Sequence, residues 1–328
     1  MAHLSDVLLQ VAVVVYLTAM AGYLVEYAFG TRGAVARVAG RRDRQLVTVG
    51  APAAPVSPAA APAEAAPAEA GTRTVGRAGV FGAIGVGLTL VGLGLHVGVL
   101  VTRGLAAGRV PWGNMYEFVI TLTAIFATGW LVLLFNRPAL RPLGLFVTAS
   151  LAVLLGFAGL VLATPAAPLV PALNSYWLKI HVTAAATASG LLLLGFIPAA
   201  LFLIRSGYDA GKRRFPYPIG RSLPAADTLE RLTFRLHTFA FPIWTLAVIC
   251  GAIWAEAAWG RYWGWDPKET WSFISWVAYA AYLHARATPS VKRTSATWFA
   301  VAAWGTMLIN LYVINFVAVG LHSYAQVD

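Results

Sequence analysis

The sequence predicts an all-α fold, a polytopic membrane helix bundle of about eight transmembrane helices with both termini extracytoplasmic. Three observations carry that prediction. The 328 residues are 59% hydrophobic and only 11% charged, against about 25% charged in an average soluble domain. Mean hydropathy is +0.70. Apolar runs of about 20 residues, enough to cross a hydrocarbon core of roughly 30 Å, recur along the chain, and the Lys and Arg residues concentrate in alternate loops.

The spans fall near residues 6–28, 78–101, 116–135, 143–163, 178–204, 236–257, 268–285 and 295–318. No basic residue precedes the first and arginines follow it, so it is expected to stay as an anchor helix rather than be cleaved as a signal. The stretch "GAPAAPVSPAAAPAEAAPAEAG" at 50–71 has neither aromatic residues nor an apolar period. It cannot bury enough surface to offset chain entropy and is expected to be a disordered linker. With the N-terminus outside, loops 29–77, 136–142, 205–235 and 286–294 are cytoplasmic and hold nearly all the basic residues, including "RVAGRRDR", "GKRRF" and "SVKR". The net charge of +11 then has a topogenic, lipid-facing origin and calls for no nucleic-acid partner. No internal repeat is visible, and no phosphate-binding glycine motif points to ATP-driven transport by this chain.

The segment "WGRYWGWDPKETW" at 259–271 packs four tryptophans, a tyrosine and four charged residues into thirteen positions. Asp266, Pro267 and Glu269 form a helix-start pattern, so the seventh span begins at Pro267. Trp259 and Trp263 are four apart and would share one face of a short interfacial helix, with Trp265 and Trp271 close by. An interfacial aromatic belt would use such residues as anchors. A shelf for a flat ligand would use them equally.

The histidines favour the shelf, because ionisable residues at membrane depth are costly and usually functional. Of six, His181 in "LNSYWLKIHV" and His322 in "VGLHSY" sit at the outer level of the tryptophans. Two neutral imidazoles flanking a shelf of rings suit the axial ligands of haem iron, with Arg261 or Lys268 facing the propionates. His284 in "YAAYLHAR" lies about 25 Å of helix rise beyond Pro267, toward the cytoplasmic leaflet. It either bonds a neighbouring helix or contributes to an inner ligand site. His96 is glycine-flanked within the second span, while His237 and His3 are expected to be interfacial or solvated. Asn114, Tyr116 and Glu117 in "PWGNMYEF" either line the pocket or cap the third helix.

Together "WGRYWGWDPKETWSFISW", "LNSYWLKIHV", "YLHAR", "GLHSY" and "GRVPWGNMYEF" resemble the CcsA/ResC family of cytochrome c biogenesis proteins. These are System II haem handlers with a tryptophan-rich WWD domain, labelled CcsB in some bacterial groups. The resemblance covers roughly 78–328. Hydropathy and composition give an N-terminal anchor helix at 1–29 and a basic and Ala/Pro-rich cytoplasmic linker at 30–77, and the resemblance implies a haem-handling membrane domain at 78–328 with its external WWD segment at 258–271. It implies that His181 and His322 bind external haem at iron, that His284 serves an inner site, and that Trp259, Trp263, Trp265, Asp266 and Trp271 form the platform. The haem would be haem b, held non-covalently in transit. It also implies a bacterial cell membrane location with the haem-presenting face extracytoplasmic.

The implied partners are a ResB-type membrane subunit, which supplies the inner site's other histidine, and an apocytochrome c with a CxxCH segment. Thioredoxin-like thiol reductants are possible further partners. The chain has a lone cysteine, Cys250, placed mid-span in "LAVICGAIW", so the thiols for thioether attachment must come from elsewhere; the residue itself reads as a small buried hydrophobe. The resemblance thus implies one part of a cytochrome c synthase, not active alone. Two other classes compete. A solute transporter would cluster its polar groups near the midplane, and a respiratory electron carrier with permanent haem would pair intramembrane histidines on this chain.

Overall fold

The computed structural model describes residues 1–30, 69–169 and 175–317. Among them are eight long helices and no strand. Helix α1 spans Ala2–Phe29, α2 Glu69–Ala107, α3 Met115–Asn136, α4 Gly144–Val161, α5 Tyr176–Asp209, α6 Ala226–Trp259, α7 Pro267–Ala287 and α8 Arg293–Leu308. A π turn at Ile309–Val313 carries α8 on through Ile314–Val317. Seven of these helices are long and apolar enough to cross a membrane, with mean hydropathies from 1.6 to 2.3. The protein is a multi-pass membrane protein. Helix α7, 21 residues long, carries Lys268, Glu269, His284 and Arg286, and runs between α6 and α8.

Successive helices run in alternating directions. One end of the bundle carries the tryptophan-rich loop 260–266; the other carries the basic loops that follow α3, α5 and α7. Helix starts are written locally. Asn114 caps α3 by accepting from the Glu117 N–H at 2.9 Å, and Asp266 with Glu269 forms a capping box ahead of Pro267. Helix α2 begins at Glu69, ahead of the apolar span expected from 78. Of the expected disordered stretch at 50–71, residues 50–68 lie outside the described residues and 69–71 are helical.

Helix α1 is knitted into the bundle as well as being apolar. Its buried residues Ser5, Leu9, Ala12, Tyr16, Ala19 and Tyr23 repeat at three and four. Gly22 lets it approach α2 so closely that a Cβ there would sit 2.9 Å from the Phe81 carbonyl oxygen. Close approach without bulk is how helices associate where lipid supplies no hydrophobic drive. At the basic end, the Glu26 carboxylate pairs with Arg141.

The frame of the site is the antiparallel pair α5 and α6, each 34 residues long and so about 51 Å, well over a bilayer core. Gly195 and Gly251 let the two approach closely, and Gly190 does the same for α5 against α3, where a Cβ would sit 2.7 Å from the Leu122 carbonyl oxygen. Two imidazoles fill the remaining space: His181 beside Gly251 near one end, and His237 beside Gly195 near the other. This corrects the expectation of an interfacial or solvated His237. It is fully buried, its Nδ1 donates to the Thr233 carbonyl at 2.8 Å, and its ring lies 5.4 Å from Tyr279 and 5.0 Å from Tyr282 of α7. The missing side chain at Gly195 made the room.

Candidate functional site

A cleft opens at the tryptophan end, among the α5–α6 pair, the starts of α3 and α7, and the π turn after α8. His181, Trp112, Trp244, Trp254, Trp263 and Lys268 are among its walls. A few polar groups set in aromatic surface is the usual make-up of a small-molecule site.

His181 is carried on the second turn of α5, whose start is capped by Ser175. Its Nδ1 donates to the Ala247 carbonyl at 2.8 Å. That bond puts the ring proton on Nδ1 and the lone pair on Nε2. The imidazole is stacked on Trp254, with centroids 6.1 Å apart and planes 10° apart. Gly251 keeps this pose possible, since a Cβ there would lie 2.8 Å from both Cε1 and Nδ1 of the ring.

The tryptophan-rich segment is not a short helix. Helix α6 runs to Trp259 and stops at Gly260, whose φ of +69° is left-handed, and the chain is non-helical to Asp266. Trp259 and Trp263 therefore do not share a helical face, which corrects the spacing-based expectation. Trp259 packs behind the cleft wall, 4.7 Å from Trp254. Trp263 lines the cleft. Trp265 has a φ of +57° and is 65% exposed, with its ring against Trp263 and Phe273. Trp271 is half-buried one turn into α7 and is not a lining residue. Asp266 is buried as the α7 cap, accepting from the Lys268 N–H at 3.0 Å.

Glu269 ties this loop down. One carboxylate oxygen accepts from the Gly264 and Asp266 N–H groups at 2.8 and 3.1 Å, and the other faces Arg261 at 3.7 Å. The opposite rim has a parallel device. Glu117, fully buried, accepts from Arg103 at 3.1 Å, from Arg109 at 2.7 Å and from the Gly113 N–H at 2.7 Å. This fixes the turn that presents Trp112. Asn114 both caps α3 and lines the cleft, so the two readings of that residue hold together. Tyr116 is buried, with the Arg103 guanidinium 4.9 Å from its ring centroid.

His284, His96 and Cys250 sit apart from the cleft. His284 is exposed on α7, on a face other than that of buried Tyr279, Tyr282 and Ala285. His96 is fully buried, with Nε2 2.7 Å from the Ile120 carbonyl oxygen. Cys250 is a buried thiol on α6. His322 lies outside the described residues. Sequence reasoning missed Trp112, Trp244, Trp254 and Asn310. The signals were present: 244, 247, 251 and 254 recur at helical spacing on one face of α6, and Asn310 is an amide inside an apolar span.

Residues 112–322 match the family described as Cytochrome C assembly protein. The chain is 34% identical over 263 residues to the cytochrome c biogenesis protein CcsA of Guillardia theta, covering 75% of this chain and 86% of that one. It is 34% identical over 300 residues to the CcsA of Synechococcus sp. strain JA-3-3Ab, covering 75% and 85%. Its fold is similar to a solved structure, the cytochrome c haem lyase CcmF, with a TM-score of 0.55 at 17% identity. That match spans 95% of this chain and 46% of the larger one. A matched family over most of the chain, and relatives at this identity across nearly their whole length, make the chain a member of the cytochrome c assembly family, of the CcsA type.

Proposed function

We propose that the chain is the haem-handling subunit of a cytochrome c synthase, holding haem in the outer cleft and presenting it for thioether attachment to the CxxCH segment of an apocytochrome c. The observation that carries this reading is the His181 imidazole. It is fixed at Nδ1 by a backbone carbonyl 2.8 Å away, the orienting bond that metal-binding histidines characteristically make, and it stands in a wall of indole rings. The residues present therefore fit a haem. His181 would ligate the iron, Trp263 on the cleft wall would support the macrocycle with Trp265 against it and Trp259 behind the wall, and Asp266 and Glu269 hold the loop that presents them; Trp271, off the lining, stands outside that support. The iron's second external ligand is His322, from beyond the described residues.

Haem b in transit, bound without covalent attachment, is the substrate rather than a resident group. The basic loops support an extracytoplasmic tryptophan end in a bacterial cell membrane. His284, exposed on the side of α7, pairs in this reading with a histidine from a ResB-type partner. Cys250 is buried, so the attacking thiols belong to the apocytochrome, kept reduced by thioredoxin-like proteins.

The test is His181→Gly in the purified chain and in cells with the partner. External haem absorbance and cytochrome c maturation are both expected to fall, and added imidazole to restore both in part. Unchanged haem content and maturation would remove His181 from the site.

A further inference from the structure

Three charged groups at the tryptophan end serve the loop before α7: Glu269 holds two backbone N–H groups and lies 3.7 Å from Arg261, and Asp266 caps α7. Lys268 lines the cleft, yet among the described residues it belongs to none of the ion pairs. Its Nζ donates to the Asn310 carbonyl at 2.8 Å. An ammonium has three donors, so this bond leaves capacity for something entering the cleft. Helix formation does not explain a lysine there either, because a cation in the first turn opposes the helix dipole.

The support behind Lys268 is also incompletely satisfied. Asn310 is 1% exposed and lines the cleft. Its Nδ2 donates to Ser272 Oγ at 3.0 Å, and Ser272 Oγ donates to the Lys268 carbonyl at 2.8 Å. The Asn310 Oδ1 is buried with no hydrogen-bond partner. A half-turn of the amide exchanges its donor and acceptor ends. Asn310 lies in the π turn Ile309–Val313, a backbone irregularity frequent at functional sites.

We propose that Lys268, backed by Asn310 and Ser272, is the carboxylate subsite of the cleft and holds a propionate of the haem. The inference rests on the haem reading above and specifies how the ring is oriented within the cleft. Propionates occupy one edge of the macrocycle and vinyls the edge away from them. Anchoring the carboxylate edge at the α7–α8 wall leaves the vinyl edge for the incoming thiols. Arg261, 3.7 Å from Glu269 and outside the cleft lining, belongs to the loop instead.

The experiment titrates the purified full chain with iron protoporphyrin IX and, separately, with its dimethyl ester, which keeps ring and iron but loses both carboxylates. Wild type is expected to bind the diacid about tenfold more tightly than the ester, the worth of one charge-assisted hydrogen bond. Lys268→Met is expected to bring the diacid down to the ester's affinity without changing the ester's, and Lys268→Arg to keep most of the preference. If Lys268→Met does not accumulate, Asn310→Asp gives the lysine an internal carboxylate and is expected to collapse the ratio equally. A diacid preference unchanged in these variants, or absent in wild type while both porphyrins bind, overturns the subsite alone. Failure of wild type to bind either porphyrin overturns the haem reading and the subsite with it.

Discussion

Adding one methyl group at Gly251 should disable His181 without touching it. A Cβ at Gly251 would stand 2.8 Å from Cε1 and Nδ1 of the imidazole, where ordinary contact begins at 3.4 Å. The ring must therefore retreat by about 0.6 Å, and Trp254 stacked on one face restricts its escape. The same shift stretches the 2.8 Å bond from Nδ1 to the Ala247 carbonyl toward the limit of hydrogen bonding. Losing that bond costs about 1 kcal/mol and the overpacking at least about 1 kcal/mol more. A total of about 2 kcal/mol corresponds to roughly thirtyfold weaker haem binding in Gly251→Ala. The assay is haem titration of the purified protein by absorbance. Gly87→Ala serves as control, because a Cβ at Gly87 meets nothing within 4 Å. Gly251→Ala with wild-type haem affinity and spectrum would refute the argument that this carbonyl-anchored imidazole is the ligand.

Trp263→Ala, which removes a cleft wall, is expected to weaken haem retention about tenfold by the same titration while membrane insertion is preserved; Trp265→Ala, mostly exposed, is expected to cost less, and equal small effects from both would favour a simple aromatic belt. Glu117→Gln strips buried Arg103 and half-buried Arg109 of their counter-charge and is expected to destabilise the protein by about 3 kcal/mol, read as a lowered thermal midpoint in detergent; a wild-type midpoint would mean that water already solvates this cluster. His284→Gly is expected to abolish inner-site haem only when a ResB-type partner is co-expressed. An isolated chain holding bis-histidine haem through His284 and His96 would exclude the need for that partner.

The bundle was legible in the sequence because its causes are local. Apolar runs long enough for a bilayer, the Asp266–Pro267–Glu269 start of α7 and basic residues in alternate loops each act within a few residues of where they are written. Family membership was legible for the same reason, through a dense tryptophan motif. What the tertiary structure alone decided is which rings meet. Trp254 and Gly251 make the pocket for His181 from a helix about seventy residues further along the chain, and no periodicity in α5 encodes that partner. His237 shows the same limit: its position near a span's end suggested solvent, but Gly195 on α5 opened a buried seat for it. Trp259 and Trp263, helical neighbours by spacing, were separated by one left-handed glycine. That Lys268 lines the cleft and Arg261 does not was likewise absent from their spacing. Sequence spacing governs what the backbone does with its own neighbours; the chemistry of a cleft depends on side chains brought together from distant turns, and packing settles those.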